Sequence, residues 1–218
     1  MSASSQRSLR SAVRSDRTAK AAAPCILLQR TAASLHSGLT YRLRRELMAK
    51  TVLIVCEMQN DFLWEKRKSK FSYDAEKLTA AVKEAAEAVR AEGGDIIFLK
   101  QIFADTPSNH IIFDFCIAGS EGAALYGGLD SIPAKHFEKN VADAYSDPAF
   151  AEYMQAQGYE RVLVCGIDEN GTVSATAKGA KNAGAEVCIL SGASASRFPI
   201  GKLAPLRAEL KAMGIQYT

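Results

Sequence analysis

From residue 51 onward the chain alternates between short, continuous apolar runs and longer segments whose apolar residues recur at three- and four-residue steps. Thr51–Cys56, Asp95–Leu99, Arg161–Cys165 and Glu186–Leu190 show the first pattern. Runs of this length without polar alternation predict strands covered on both faces. Tyr73–Ala91 shows the second pattern: Leu78, Val82, Ala85, Ala86 and Val89 fall on one stripe, and Gly93-Gly94 ends it. Asp147-Pro148 opens another helix, because aspartate accepts from free N–H groups and proline suits the first helical position. It runs to Gln157, with Gly158 as its stop. Thr172–Ala183, ended by Gly184, and Lys202–Met213, ended by Gly214, are two more helices. His136–Lys139 and Ile215–Tyr217 are short strands, and 101–135, rich in glycine and proline, reads as loop.

Strands alternating with helices predict an α/β fold: a three-layer αβα sandwich around a mainly parallel, Rossmann-like sheet. Chemistry in such sheets collects at the carboxyl ends of the strands. Glu57 follows the first strand, Lys139 ends the third and Thr172 follows the fourth, so all three are expected at one edge.

Of 218 residues 48% are apolar, ample for a full core. Five unclustered cysteines (Cys25, Cys56, Cys116, Cys165, Cys188) argue against a disulfide framework and against structural zinc. Those inside apolar runs read as inert core thiols. The net charge of +3 hides an asymmetry. Ten of the 27 basic but only two of the 24 acidic residues lie within 1–50, leaving 17 basic and 22 acidic residues for the body. Residues 1–48, rich in arginine, serine and alanine, have the composition of a mitochondrial transit segment; residues 49–218 form the domain. A mildly acidic body with no aromatic-basic interleaving disfavours direct nucleic-acid binding. No apolar run is long enough to span a bilayer, so any membrane association is peripheral.

Three motifs sharpen this picture. Val52–Phe62 reads VLIVCEMQNDF, Cys116–Leu125 reads CIAGSEGAAL, and Thr172–Gly184 reads TVSATAKGAKNAG. In this order and spacing they resemble the isochorismatase-like cysteine hydrolases, and within them the nicotinamidases, over roughly residues 50–200. The resemblance implies the isochorismatase-like hydrolase fold and a catalytic Asp, Lys and Cys triad. It carries over to Glu57, Lys139 and Thr172. Two of the three types have changed: the carboxylate is one methylene longer, and an alcohol replaces the thiol. A thiol at a helix start is partly ionised near neutral pH, whereas an alcohol needs a dedicated base. Thr172 therefore reads as a helix-capping residue, and Lys139 either as a surface charge or as the partner of a buried Glu57. Cys116 matches a family cysteine that is not the nucleophile.

The resemblance also implies a metal site built from an Asp-x-His motif and a histidine just before Cys116. Ile102–Thr106 lacks that motif and Phe115 precedes the cysteine, which leaves His110 as a lone remnant. One histidine does not hold a catalytic metal, so neither metal nor cofactor is expected.

These changes lead to an expectation of a catalytically silent protein. It would be a mitochondrial accessory subunit, in the matrix or on the matrix side of the inner membrane, among other protein subunits of a larger complex. A respiratory complex or the ATP synthase is favoured over the mitochondrial ribosome. Two other readings stay open: a divergent hydrolase of small amides using Thr172, Glu57 and Lys139, and a small-molecule binding module. Arg197-Phe198-Pro199 and the charged run Trp64–Lys70 read as contact surfaces.

Overall fold

The computed structural model describes residues 49–218; the basic leader and Cys25 lie outside the described residues. Six strands form one sheet in the order β3-β2-β1-β4-β5-β6, and every neighbouring pair is parallel. They are β1 (Thr51–Cys56), β2 (Asp95–Gln101), β3 (Lys135–Lys139), β4 (Arg161–Gly166), β5 (Glu186–Ser194) and β6 (Gln216–Tyr217). The α/β class and the parallel sheet expected from the sequence are what the fold shows.

Two apolar cores sandwich the sheet. On one face Leu53, Val55, Phe98, Leu163 and Leu190 pack against Leu78, Val82, Ala86 and Val89 of helix α2 (Ala75–Ala91). On the other, Val52, Ile54, Ile97, Val164 and Ile189 meet Phe150 and Met154 of α4 (Pro148–Gln157), Ala177 and Ala180 of α5 (Ser174–Asn182), and Leu210 of α6 (Ile200–Ala212). Alternate residues of β1 thus feed opposite cores, which is why that strand reads as continuously apolar. Truncating a residue such as Leu163 to alanine would cost about 2–5 kcal/mol.

Helix starts follow the sequence. Asp74 accepts from Lys77 N, and Asp147 accepts from Ala149 N and Phe150 N. Two short helices add to the expected elements: α1 (Asn60–Leu63), and α3 (Pro107–Ile112) inside the stretch read as loop. Each is too short to show a periodic stripe. Thr106 caps α3 by accepting from Asn109 N.

The registers decide where the strands deliver their side chains. Gln101 pairs with Lys139 across β2–β3, and Cys56 pairs with Gly166 across β1–β4. Residues 57, 101, 139 and the segment after 166 therefore leave the sheet at the same edge. At Gly166 (φ 103) a Cβ would stand 2.2 Å from the Cys56 carbonyl oxygen, so only glycine lets β4 turn away beside β1. No helix among the described residues is long and apolar enough to cross a membrane.

Candidate active site

Glu57, Lys139 and Thr172 meet at the carboxyl edge of β1, β3 and the turn after β4. Lys139 is 5% exposed, so the surface-charge reading of this residue does not hold. Its Nζ donates to Glu57 Oε1 (2.5 Å), Thr172 Oγ1 (3.0 Å) and Gln101 Oε1 (3.2 Å). An ammonium has three protons, and these acceptors use all three. Thr172 Oγ1 in turn donates to Glu57 Oε1 at 2.5 Å. The threonine oxygen therefore stands between a carboxylate that receives its proton and a cation that faces its lone pair. A buried lysine is stable only with such partners, because an unpaired charge in a dry site costs several kcal/mol.

Local backbone puts these groups in place. Glu57 is held in a left-handed conformation (φ 53) while its N–H donates to Leu99 O. That conformation is costly for a side chain larger than glycine. It reaims the longer side chain, so the extra methylene does not carry the carboxylate away from residue 172. Thr172 does not cap a helix, as its sequence position suggested. It lies in a wide helical turn, Glu169–Val173, that precedes α5, and Gly171 within it is non-helical (φ −136, ψ −115). The hydroxyl is turned to Glu57, and the local bond to the turn is made by Ser174 Oγ, which donates to Gly171 O.

Three supports were not visible as chemistry in the sequence. Gln59 Oε1 accepts from Gln101 N, and its Nε2 donates to the carbonyls of Gln101 and Ala123, pinning the end of β2. Asp168 accepts from Tyr73 Oη (3.0 Å), Ser196 Oγ (2.7 Å), Arg197 N (3.0 Å) and Asn170 N (2.9 Å). Burial alone would raise the Asp168 carboxyl, but these hydrogen bonds outweigh it and hold the group below the ordinary carboxylate range. Arg197, read from the sequence as part of a contact surface, instead closes this turn. Third, Glu169 is 2% exposed and clamped by Arg207, Nε to Oε1 and Nη2 to Oε2 at 2.7 Å each, with Tyr217 Oη donating to Oε1 at 3.2 Å. The only sequence signal for this clamp was an acid just ahead of the third motif with an arginine on the last helix.

Cys116 is fully buried and stands at φ 51. Burial first, then Asp61 and Glu57, push its thiol well above the usual range, so it is no nucleophile at neutral pH. Its N–H donates to Asp61 Oδ2 at 2.7 Å. Asp61 needs Gly122 opposite it, because a Cβ there would stand 2.0 Å from Oδ2. Cys56, Cys165 and Cys188 are buried in the strands.

The isochorismatase domain family matches residues 51–210, nearly the whole described body. The chain belongs to the isochorismatase family. Three solved structures with the same fold are the nicotinamidase of Bacillus subtilis, the pyrazinamidase of Pyrococcus horikoshii in complex with zinc, and the N-carbamoylsarcosine amidase of Thermoplasma acidophilum. The first is 22% identical, with a TM-score of 0.68, and covers 78% of this chain and 99% of its own. The second is 24% identical at TM-score 0.65, covering 78% and 98%, and the third is 20% identical at 0.63, covering 78% and 95%. No curated protein matches the chain.

Membership in the isochorismatase family corrects the expectation of a silent, non-enzymatic protein. The three structures above are named as a nicotinamidase, a pyrazinamidase and an amidase, and the three triad positions here are joined in one hydrogen-bonded set. The expectation treated each changed residue type separately. Together Glu57 and Thr172 still give a hydroxyl paired to a carboxylate.

A metal, as in the zinc complex among these structures, does not fit the residues present. His110 Nε2 is committed to Asp105 Oδ1 at 2.7 Å, and both side chains are more than half exposed. Phe115 offers a ring where the resemblance asks for a histidine. Among the described residues no group of three or more His, Cys, Asp or Glu is placed to hold a metal ion. A catalytic zinc takes three protein ligands.

Proposed function

We propose that the chain is a hydrolase of small amides in which Thr172 is the nucleophile, Glu57 the general base and Lys139 the electrostatic support. The observation that carries this reading is the 2.5 Å contact from Thr172 Oγ1 to Glu57 Oε1, with Lys139 Nζ 3.0 Å from the same oxygen. An alcohol is un-ionised at neutral pH, so attack requires that its proton be taken as the new bond forms. Glu57 is placed for that transfer. The Oγ1–carbon bond forms as the proton moves to Glu57, and charge develops on the carbonyl oxygen. When the carbon–nitrogen bond breaks, Glu57 returns the proton to the leaving amine. Water, deprotonated by the same carboxylate, then hydrolyses the threonine ester and restores the hydroxyl. The Lys139 ammonium stays paired with Glu57 between these steps and orients Thr172. Positioning and general base catalysis of this kind contribute about 10²–10⁴-fold.

The test is turnover of a panel of small amides, nicotinamide included, by the wild type and by Thr172→Ala and Thr172→Cys. Wild-type hydrolysis, a loss on the order of 10³-fold in the alanine variant, and retained activity with cysteine are expected. No hydrolysis of any amide by the wild type, or equal rates in the alanine variant, overturns the assignment. The composition of residues 1–48 also supports import into mitochondria; a fluorescent fusion of the full chain that stays outside the organelle rejects that part of the proposal.

A further inference from the structure

Next to the triad lies a second feature that the hydrolytic step does not use. A pocket of about 400 Å³ is lined by Asp61, Lys66, Arg67, His110, Asp114 and Phe115, among others. His110 and Phe115 occupy two of the positions from which the family resemblance draws metal ligands, so this is the compartment where a metal would be sought. It contains the guanidinium of Arg67 instead. Arg67 Nη1 donates to Asp114 Oδ2 (3.1 Å), Nη2 donates to the Asp114 carbonyl oxygen, and Nε lies 3.5 Å from Asp61 Oδ1. A guanidinium carries five N–H groups. Two are used here, and Nε is buried with no acceptor in hydrogen-bonding geometry.

The backbone is bent to hold this arrangement. Asp114 and Cys116 both adopt left-handed conformations (φ 55 and 51), on either side of Phe115. Non-glycine residues in that region persist only where their surroundings compensate. Here the compensation is visible: Asp114 gives Arg67 both its carbonyl and its carboxylate, and Cys116 gives its N–H to Asp61. The compartment and the triad are also close. Cys116, whose N–H reaches Asp61, accepts at its carbonyl from Phe103 N, and the neighbouring Ile102 N donates to the Lys139 carbonyl.

We propose that Arg67 is the fixed cation of this pocket, that it excludes a divalent metal from it, and that its unbonded N–H groups bind a neutral or anionic acceptor on the substrate. The acceptor would be a ring nitrogen, a carbonyl or a carboxylate at the end of the molecule away from the scissile amide. The substrate half of the inference rests on the amide-hydrolase reading; the metal half does not. A divalent ion beside the guanidinium would meet like charge, two carboxylates already paired with that guanidinium, one histidine tied to aspartate, and a phenyl ring.

The experiment uses the full chain. Wild-type protein is equilibrated with zinc chloride, and separately with manganese chloride, then dialysed and assayed for metal by elemental mass spectrometry. Substoichiometric metal is expected; one equivalent retained overturns the inference. Nicotinamide binding is measured by calorimetry for the wild type, Arg67→Met and Arg67→Lys, with thermal melts to follow folding. A loss of affinity on the order of tenfold in the methionine variant, partly recovered by lysine, is expected. Equal affinity in all three overturns it. Because neither readout needs turnover, failure of this inference is separable from failure of Thr172 as nucleophile.

Discussion

Glu57 and Glu169 invite comparison. Both are glutamates that follow a strand of the sheet, both are largely buried, and both face one cation. Glu169 spends each carboxylate oxygen on Arg207 and takes a further bond from Tyr217. Glu57 gathers Lys139 and Thr172 on Oε1 alone, and Oε2 makes no hydrogen bond among the described residues. A carboxylate with both oxygens engaged is a clamp. One with a free oxygen and a hydroxyl already hydrogen-bonded to it can take a proton. The chain thus holds two acid–base pairs of similar composition and separates their roles by hydrogen-bond saturation.

The most damaging way to probe this difference is to neutralise each acid. Glu57→Gln should cost about 10²–10⁴-fold in kcat with little change in melting temperature, read by steady-state kinetics on any amide the wild type hydrolyses. An equal collapse of stability in Glu57→Gln would erase the distinction. Removing the clamp's cation should act on stability first. Arg207→Met leaves Glu169 buried without its partner, and breaking such a pair costs about 3–5 kcal/mol when fully buried. Arg207 is 28% exposed at its side chain, so the lower end of that range is expected in denaturant unfolding.

A subtler probe is pH. The Asp168 carboxyl sits below its ordinary value of about 3.9 when folded, so it contributes stability above that value and loses it as pH falls through the folded pKa. Asp168→Asn should therefore be less stable than the wild type at pH 7, with the gap narrowing in more acid solution, measured by urea unfolding across pH 3–7. A constant gap would mean the hydrogen bonds do not depend on its charge. Tyr217→Phe should have the smallest effect, about 0.5–1.5 kcal/mol, because Arg207 alone still meets both oxygens of Glu169.

The fold was largely legible because both faces of a parallel sheet are covered. Such strands announce themselves as unbroken apolar runs, as Thr51–Cys56 and Arg161–Cys165 do, and the helices between them carry their own stops. The positions of the triad were legible from the motif order and the rule that chemistry leaves at strand ends. What the sequence withheld was how the side chains meet. The left-handed turns at Glu57, Asp114 and Cys116 place the carboxylate and the Arg67 pocket, yet glutamate and cysteine do not favour positive φ and an aspartate signals it only weakly. Gln101 joins Lys139 only through the β2–β3 register, and Arg207 reaches Glu169 across 38 positions. Long-range convergence of this kind comes from packing, which no local pattern encodes. Trp64–Lys70 shows the same limit: it read as a surface strip, whereas Arg67 turns inward to Asp61 and Asp114.

The saturation of Lys139 bears on covalent chemistry. With all three ammonium protons engaged, its amine has no free lone pair and no room to turn toward an electrophile. Every cysteine among the described residues is buried. Alkylating reagents that label exposed thiols, such as iodoacetamide, should therefore leave this pocket untouched. Boronic acids and β-lactones, which capture an oxygen whose proton has somewhere to go, are the warheads suited to it, with a Thr172 adduct as their mark in a peptide mass map.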